Sequence, residues 1–340
     1  DFFFIREFLY LFCIQDNHIY MVINSNKRDF KANKLKIGTR GSPLALAQAL
    51  EVKKEIIKHH KLNDQSVEII SISTKGDRVT DRPLTEIGGK GLFTEEIENK
   101  LFHNEIDIAV HSMKDMPTEF PTGLGINTFL KREDFRDSFV SLKYNSINEL
   151  PVGAVVGSSS IRRKAQLLSI RPDLKVVEFR GNVQTRLKKL EDGVADATFL
   201  ACAGLIRLGM KDLVNPISPE VMMPAIAQGI IGIEQRLNDN EITELLFPLN
   251  HEQTKTQALV ERAFLQVLDG SCRTPIGSIS KIDGEKIIFS GQVLKPDGTE
   301  IISGHWEGLV GNPKDLGKMA GNEIKEKIDD SFFKQENFSH

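Results

Sequence analysis

Three groups of residues in this chain are of types that could do chemistry. Residues 156–186, VGSSSIRRKAQLLSIRPDLKVVEFRGNVQTR, set seven basic side chains (Arg162, Arg163, Lys164, Arg171, Lys175, Arg180, Arg186) against two acidic ones, Asp173 and Glu178. Arginine grips a carboxylate or phosphate through two parallel hydrogen bonds. Such a run either binds a small polyanion or forms a solvated basic helix face. Asp115 lies beside Lys114, just past an apolar run. It is either a turn aspartate or a carboxylate set in a basic cleft, suited to steadying a cationic intermediate or moving a proton. Cys272, in DGSCRTP at 269–275, reads as a loop residue beside Arg273, a setting that can lower a thiol pKa and so is compatible with a nucleophilic or attachment role without establishing it. Cys202 reads instead as a small buried residue at a helix start, and His111, with no spaced Cys or His partner, as structural.

The elements that must position these groups follow from hydrophobic periodicity. A short strand at 35–38 leads to Ser42 as N-cap and Pro43 as first helical residue, with Leu46, Leu50 and Ile57 on one helix face. A strand at 67–73, a helix opened by Gly88–Gly91 with Phe93, Ile97 and Leu101 recurring, and a strand at 106–110 complete a βαβαβ unit, hence a parallel sheet. Segment 131–150 reads as a polar hinge. A second βαβαβ follows, with strands at 152–156, 174–179 and 196–201 and helices from 160 and at 182–191. Two of its strand-to-helix junctions bring the Ser158–Arg163 and Arg180–Arg186 stretches to one sheet edge, where open α/β sheets bind ligands. That placement favours an anion site over a solvated face.

Residues 222–236 and 241–248 are expected to return to the first unit. A helix over 254–268, closed by Gly270, precedes strands at 276–282, 285–294 and 299–304, turned at Asp283-Gly284 and Asp297-Gly298, and a helix marked by Leu316, Ala320, Ile324 and Ile328. The expected organisation is an extension over 1–33 without regular structure, with Met21 a candidate start. It continues with domain 1 over 34–130 with 229–248, domain 2 over 131–228, and domain 3 over 249–340. The fold class is α/β, two lobes around a central cleft, with a small α+β C-terminal domain.

Composition narrows the functions. The 340 residues carry a formal net charge of −3, 40% hydrophobic and 27% charged residues, as ordinary globular chains do. No apolar run reaches the length of a membrane span. Aromatics are not interleaved with the arginines, which argues against a nucleic-acid surface. Three widely spaced cysteines suit neither a disulfide framework nor a zinc site, so no metal is expected and a reducing, cytoplasmic setting is.

In combination, TRGSPLA (39–45), GGKGLF (88–93), HSMKDMP (111–117), SSIRR (159–163), RGNVQTR (180–186) and GSCRTPIG (270–277) resemble the hydroxymethylbilane synthases, also called porphobilinogen deaminases, and the likeness runs from about Lys34 to the C-terminal helix. The resemblance implies two periplasmic-binding-protein-like domains and a third that carries the cofactor cysteine. It implies a dipyrromethane cofactor held by a thioether to Cys272, Asp115 as the catalytic carboxylate, and a monomer acting on porphobilinogen. By the same resemblance Lys114, Asp115, Ser160, Arg162, Arg163, Arg180 and Arg186 bind the cofactor, and Arg40, Ser42, Arg180, Arg186, Arg207 and Gln228 bind substrate. In the reaction so implied, porphobilinogen loses ammonia to give a methylene-pyrrolenine cation steadied by Asp115, and the growing chain attacks it. After four rounds water releases linear hydroxymethylbilane. Ala227 stands where the family usually has glycine, and alanine tolerates positive φ poorly. The competing reading is a two-lobed anion-binding protein without catalysis, which has no use for Asp115 or Cys272.

Overall fold

The structure, a computed structural model, describes residues 12–15, 18–21, 33–78, 93–268, 274–329 and 332. Gly88–Gly91, Gly270 and Cys272 lie outside these. In the N-terminal extension, expected to be irregular, β1 (Phe12–Gln15) pairs antiparallel with β2 (His18–Met21).

The first large sheet holds β3 (Leu35–Arg40), β4 (Val67–Ile72), β5 (Ile108–Ser112) and β6 (Leu124–Phe129). Helix α1 (Pro43–His60) starts as its sequence dictates: Ser42 Oγ accepts the Ala45 N–H at 3.3 Å. Its buried stripe is Ala49, Val52 and Ile56, whereas Leu50 is exposed. The centre of the buried face therefore lies roughly 100° from that of residues 46, 50 and 57 at 3.6 residues per turn, although Ile57 still packs against the core from its edge. A four-residue helix α2 (Lys75–Arg78) and α3 (Glu95–Phe102) follow, the latter burying Ile97 and Leu101 as its spacing predicts.

The second sheet holds β7 (Asp137–Ser141), β8 (Val155–Gly157), β9 (Lys175–Val177) and β10 (Ala197–Ala201), in the order β7-β10-β8-β9. Strands β8, β9 and β10 run parallel, and β7 is antiparallel to β10. Strand β7 corrects the hinge reading of 131–150: Phe139 and Val140 are core residues behind a charged approach. Helices α4 (Ile161–Ile170) and α5 (Val183–Glu191) connect β8 to β9 and β9 to β10 and are capped by the Ser160 and Asn182 side chains, and α6 (Cys202–Arg207) follows β10. The chain then returns: β11 (Ile231–Arg236) enters the first sheet between β5 and β6, antiparallel to both, giving the order β4-β3-β5-β11-β6. Segments 130–136 and 208–230 thus cross between the two sheets, as expected of two α/β lobes.

Helices α7 (Asn240–Leu246) and α8 (Glu252–Val267) lead to an antiparallel sheet of β12 (Ile276–Asp283), β13 (Lys286–Leu294) and β14 (Ile301–Leu309), closed by α9 (Pro313–Lys325). Strand β14 runs five residues past the expected end at 304, pairing Leu309 with Lys286. One carboxylate of α8 gathers both crossing segments. Buried Glu261 takes Arg132 Nη1 at 2.6 Å and Nη2 at 3.2 Å, the Ala227 N–H at 2.7 Å, and the Ser280 N–H and Oγ at 3.1 and 2.7 Å. Ala227, held this way, has φ 55, in the left-handed region that the residue type disfavours.

Candidate active site

Strand β5 ends in a tight turn, Met113–Asp115, that aims two side chains at the cleft. Asp115 is exposed there. It lines a pocket with Arg40, Ser42, His111 and Ser112, so the ends of β3 and β5 and the start of α1 share one wall. Arg40 lies over the Phe93 ring at 4.1 Å, which orients its guanidinium. Lys114 donates to Gln228 Oε1 at 3.4 Å. Burial pushes its ammonium down to about 8, against a pull upward from Asp115.

The second lobe supplies the arginines. Arg162 and Arg163, only 5% and 6% exposed, turn inward from the first turn of α4 onto Asp137, which is fully buried at the head of β7. Arg163 donates from Nε and Nη2 to Asp137 Oδ1 at 3.1 and 2.6 Å, and Arg162 Nη1 pairs with Oδ2 at 2.8 Å. Burial alone would raise the Asp137 carboxyl. The two guanidinium groups override it and hold the group well below the usual carboxylate range. Gln228 Nε2 completes the cluster, donating to Asp137 Oδ1 at 3.0 Å and to the Phe135 carbonyl at 2.8 Å.

Around this cluster the charges act on one another. Asp115 pulls on both Lys114 and Arg186, and Arg163 repels both. Burial lowers Arg186 to about 10, and its Nε donates to the Gly181 carbonyl at 3.0 Å. Arg180 sits half-buried just ahead of α5, its carbonyl accepting from Lys189 Nζ. Arg207, at the end of α6, ion-pairs with Glu51 of α1. Ser160 spends its hydroxyl on capping α4, and Ser42 does the same for α1.

The structure therefore brings Arg40, Ser42, Lys114 and Asp115 from one lobe toward Arg162, Arg163 and Arg186 from the other. It gives buried Gln228 the part of a brace between Asp137 and Lys114. Asp137 was missed from sequence because it falls in the segment read as a hinge. The signal was the pattern Asp-Ser-Phe-Val-Ser, one acid heading a short apolar strand. Cys202 is buried at the start of α6, and burial pushes its thiol up to about 12, which makes it inert. His111 bonds Glu234 at 2.9 Å.

Family models for "porphobilinogen deaminase, dipyromethane cofactor binding domain" and "porphobilinogen deaminase, C-terminal domain" match residues 35–244 and 255–326. A porphobilinogen deaminase of Paracoccus denitrificans (strain Pd 1222) is 53% identical over 302 residues, covering 88% of this chain and 96% of that one. The chain belongs to the porphobilinogen deaminase family. Among solved structures, a periplasmic substrate-binding protein of an ABC transporter from Coxiella burnetii is similar at 16% identity and TM-score 0.39, over 67% of this chain and 96% of that one. The methionine-binding protein MetQ is similar at 14% identity and TM-score 0.40, over 67% of this chain and 95% of that one.

Membership fixes the activity. The deaminase is a transferase that joins four porphobilinogen molecules on a dipyrromethane primer and releases linear hydroxymethylbilane, a step of tetrapyrrole biosynthesis. The residues present fit such a primer. Two partly buried cations, Lys114 and Arg186, lie within the field of a site where two arginines share the single carboxylate of Asp137, so the cleft retains positive charge for acid side arms. Among the described residues no helix is long and apolar enough to cross a membrane.

Proposed function

We propose that Asp115 is the catalytic carboxylate of this deaminase. Lys114, Ser160, Arg162, Arg163, Arg180 and Arg186 are assigned to the acid arms of the dipyrromethane, and Arg40, Ser42, Arg180, Arg186, Arg207 and Gln228 to those of the substrate. The observation that carries this reading is the setting of Asp115: an exposed carboxylate in a pocket shared with Arg40, with Lys114 beside it and Arg186 within its field. Attachment of the cofactor is assigned to Cys272 as a thioether. The bound group supplies the primer and the free α-carbon to which each new ring is joined.

The side chains divide the work. The arginines neutralise and orient the carboxylates of each ring, which fixes the face presented to Asp115. Asp115 accepts from the pyrrole N–H and offsets positive charge as ammonia departs. At about 4 Å and an effective dielectric of 20, one such charge is worth about 4 kcal/mol, or about a thousandfold in rate. The domain division 34–130 with 229–248, 131–228 and 249–340 is adopted with this reading, as are a cytoplasmic monomer and the absence of nucleic-acid or membrane partners.

The test is intact mass and ammonia release. The purified protein should carry the extra mass of a dipyrromethane, lost in Cys272→Ser, and Asp115→Asn should keep that mass while ammonia release falls about a thousandfold. Unmodified mass in active protein contradicts the attachment, and undiminished release from Asp115→Asn contradicts the catalytic role.

A further inference from the structure

Arg207 and Glu51 face each other across the cleft between the lobes. Arg207 closes α6, its side chain only 6% exposed, while Glu51 projects from α1 with 39% of its side chain in water. One contact joins them, Arg207 Nε to Glu51 Oε2 at 2.9 Å, and Arg207 Nη2 donates to the Gly229 carbonyl at 3.1 Å. Arg207 also lines a pocket whose walls come from both lobes: Gln48, Ser112 and Lys114 on one side, Ala203 and Gly204 on the other. Two cations therefore open onto one space, and among the described residues the acid paired with Arg207 is the partly exposed Glu51.

A guanidinium this buried needs an anion, because a buried unpaired charge is costly. Glu51 supplies one, but through a single monodentate bond from a long side chain that already reaches solvent. A ligand carboxylate arriving beside Lys114 meets both cations, and Glu51 can return to water at little cost. We propose that Glu51 is a stand-in for a substrate carboxylate, occupying Arg207 until an acid arm of porphobilinogen displaces it, and so sets the affinity of the cleft for that arm. This rests on the assignment of Arg207 to substrate binding above.

A half-exposed pair of this kind is worth a factor of about 1.5 to 5 in an equilibrium constant. Initial rates of hydroxymethylbilane formation by the holoenzyme, read as porphyrin absorbance after oxidation at fixed ionic strength, give KM for porphobilinogen. Glu51→Gln should lower KM by about 1.5- to fivefold, a gain that loss of a merely structural contact does not produce. In an Arg207→Gln background, itself raised in KM, Glu51→Gln should have no effect. An unchanged or raised KM for Glu51→Gln overturns the proposal while leaving Arg207 as a substrate residue. A fall in KM that persists in the Arg207→Gln background also overturns it. If Arg207→Gln leaves KM unchanged, the assignment of Arg207 fails, and the proposal with it.

Discussion

Asp137 offers the sharpest test of how the cleft is built. Its carboxylate is fully buried and meets two nearly buried guanidinium groups at 2.6 and 2.8 Å, so the trio carries a net charge of +1 almost out of reach of bulk water. Asp137→Asn keeps the shape and removes the charge, leaving two buried cations against each other. Each attraction is worth about 4 kcal/mol at 4 Å and an effective dielectric of 20. Relief from desolving the carboxylate returns part of this, and breaking a buried pair from one side costs about 3–5 kcal/mol. At about 2–4 °C per kcal/mol for a unit of this size, Tm should fall by about 6–20 °C in scanning calorimetry. Asp137→Asn with Arg163→Met should lose less than the sum of the two single variants, by about 1–3 kcal/mol, because the second change removes the stranded cation. The pH dependence has a definite sign. The folded carboxyl titrates well below the unfolded value of 3.8. Its contribution is therefore complete above about pH 5 and fades only as pH falls toward its depressed folded value. The deficit of Asp137→Asn should be the same at pH 6 and pH 8. A Tm change under about 2 °C, or single-variant losses that simply add, would refute this account of the cluster.

Lys114, pushed down to about 8 by burial, loses its charge as pH rises through that value, so KM for porphobilinogen should climb between pH 7 and 9. Lys114→Arg, charged throughout, should flatten the profile, and an equally steep rise in that variant would exclude Lys114 as its source. Gly229 has φ 87, and a Cβ there would lie 2.5 Å from the Glu133 carbonyl oxygen. Gly229→Ala should cost about 1–3 kcal/mol by urea unfolding. It should also raise KM, since Gln228 and the carbonyl that Arg207 uses move with it; unaltered KM would show that this turn does not set the site. Four additions bring about eight carboxylates into the cleft, so X-ray scattering of trapped intermediates should show the lobes shifting as the charge accumulates. Superposable profiles would count against that.

What was legible in the sequence was local. Ser42, Ser160 and Asn182 cap their helices as their types and positions demand, and the strand-to-helix junctions carrying Arg162, Arg163 and Arg186 fall where periodicity puts them. Asp283-Gly284 and Asp297-Gly298 turn the third sheet with Gly284 and Gly298 at positive φ. What was not legible depends on separation along the chain. Asp137 and Arg163 are 26 residues apart, and Glu51 and Arg207 156 apart, so no local pattern announces either pair. Strands β6 and β7 escaped notice because each is completed by a distant neighbour, β11 for one and β10 for the other. An arginine motif shows that a polyanion is wanted. It does not show which acid the fold keeps in its grip meanwhile.

The hold of Glu261 on Arg132 and Ala227 makes the C-terminal part of the chain more than an appended carrier. A protein ended after Asn250 would retain both lobes, yet it would strand a buried guanidinium and release a left-handed alanine turn at the joint between them. Truncation should therefore yield an aggregating fragment rather than a minimal anion receptor. Any split or circularly permuted version will have to keep α8 covalently or physically docked.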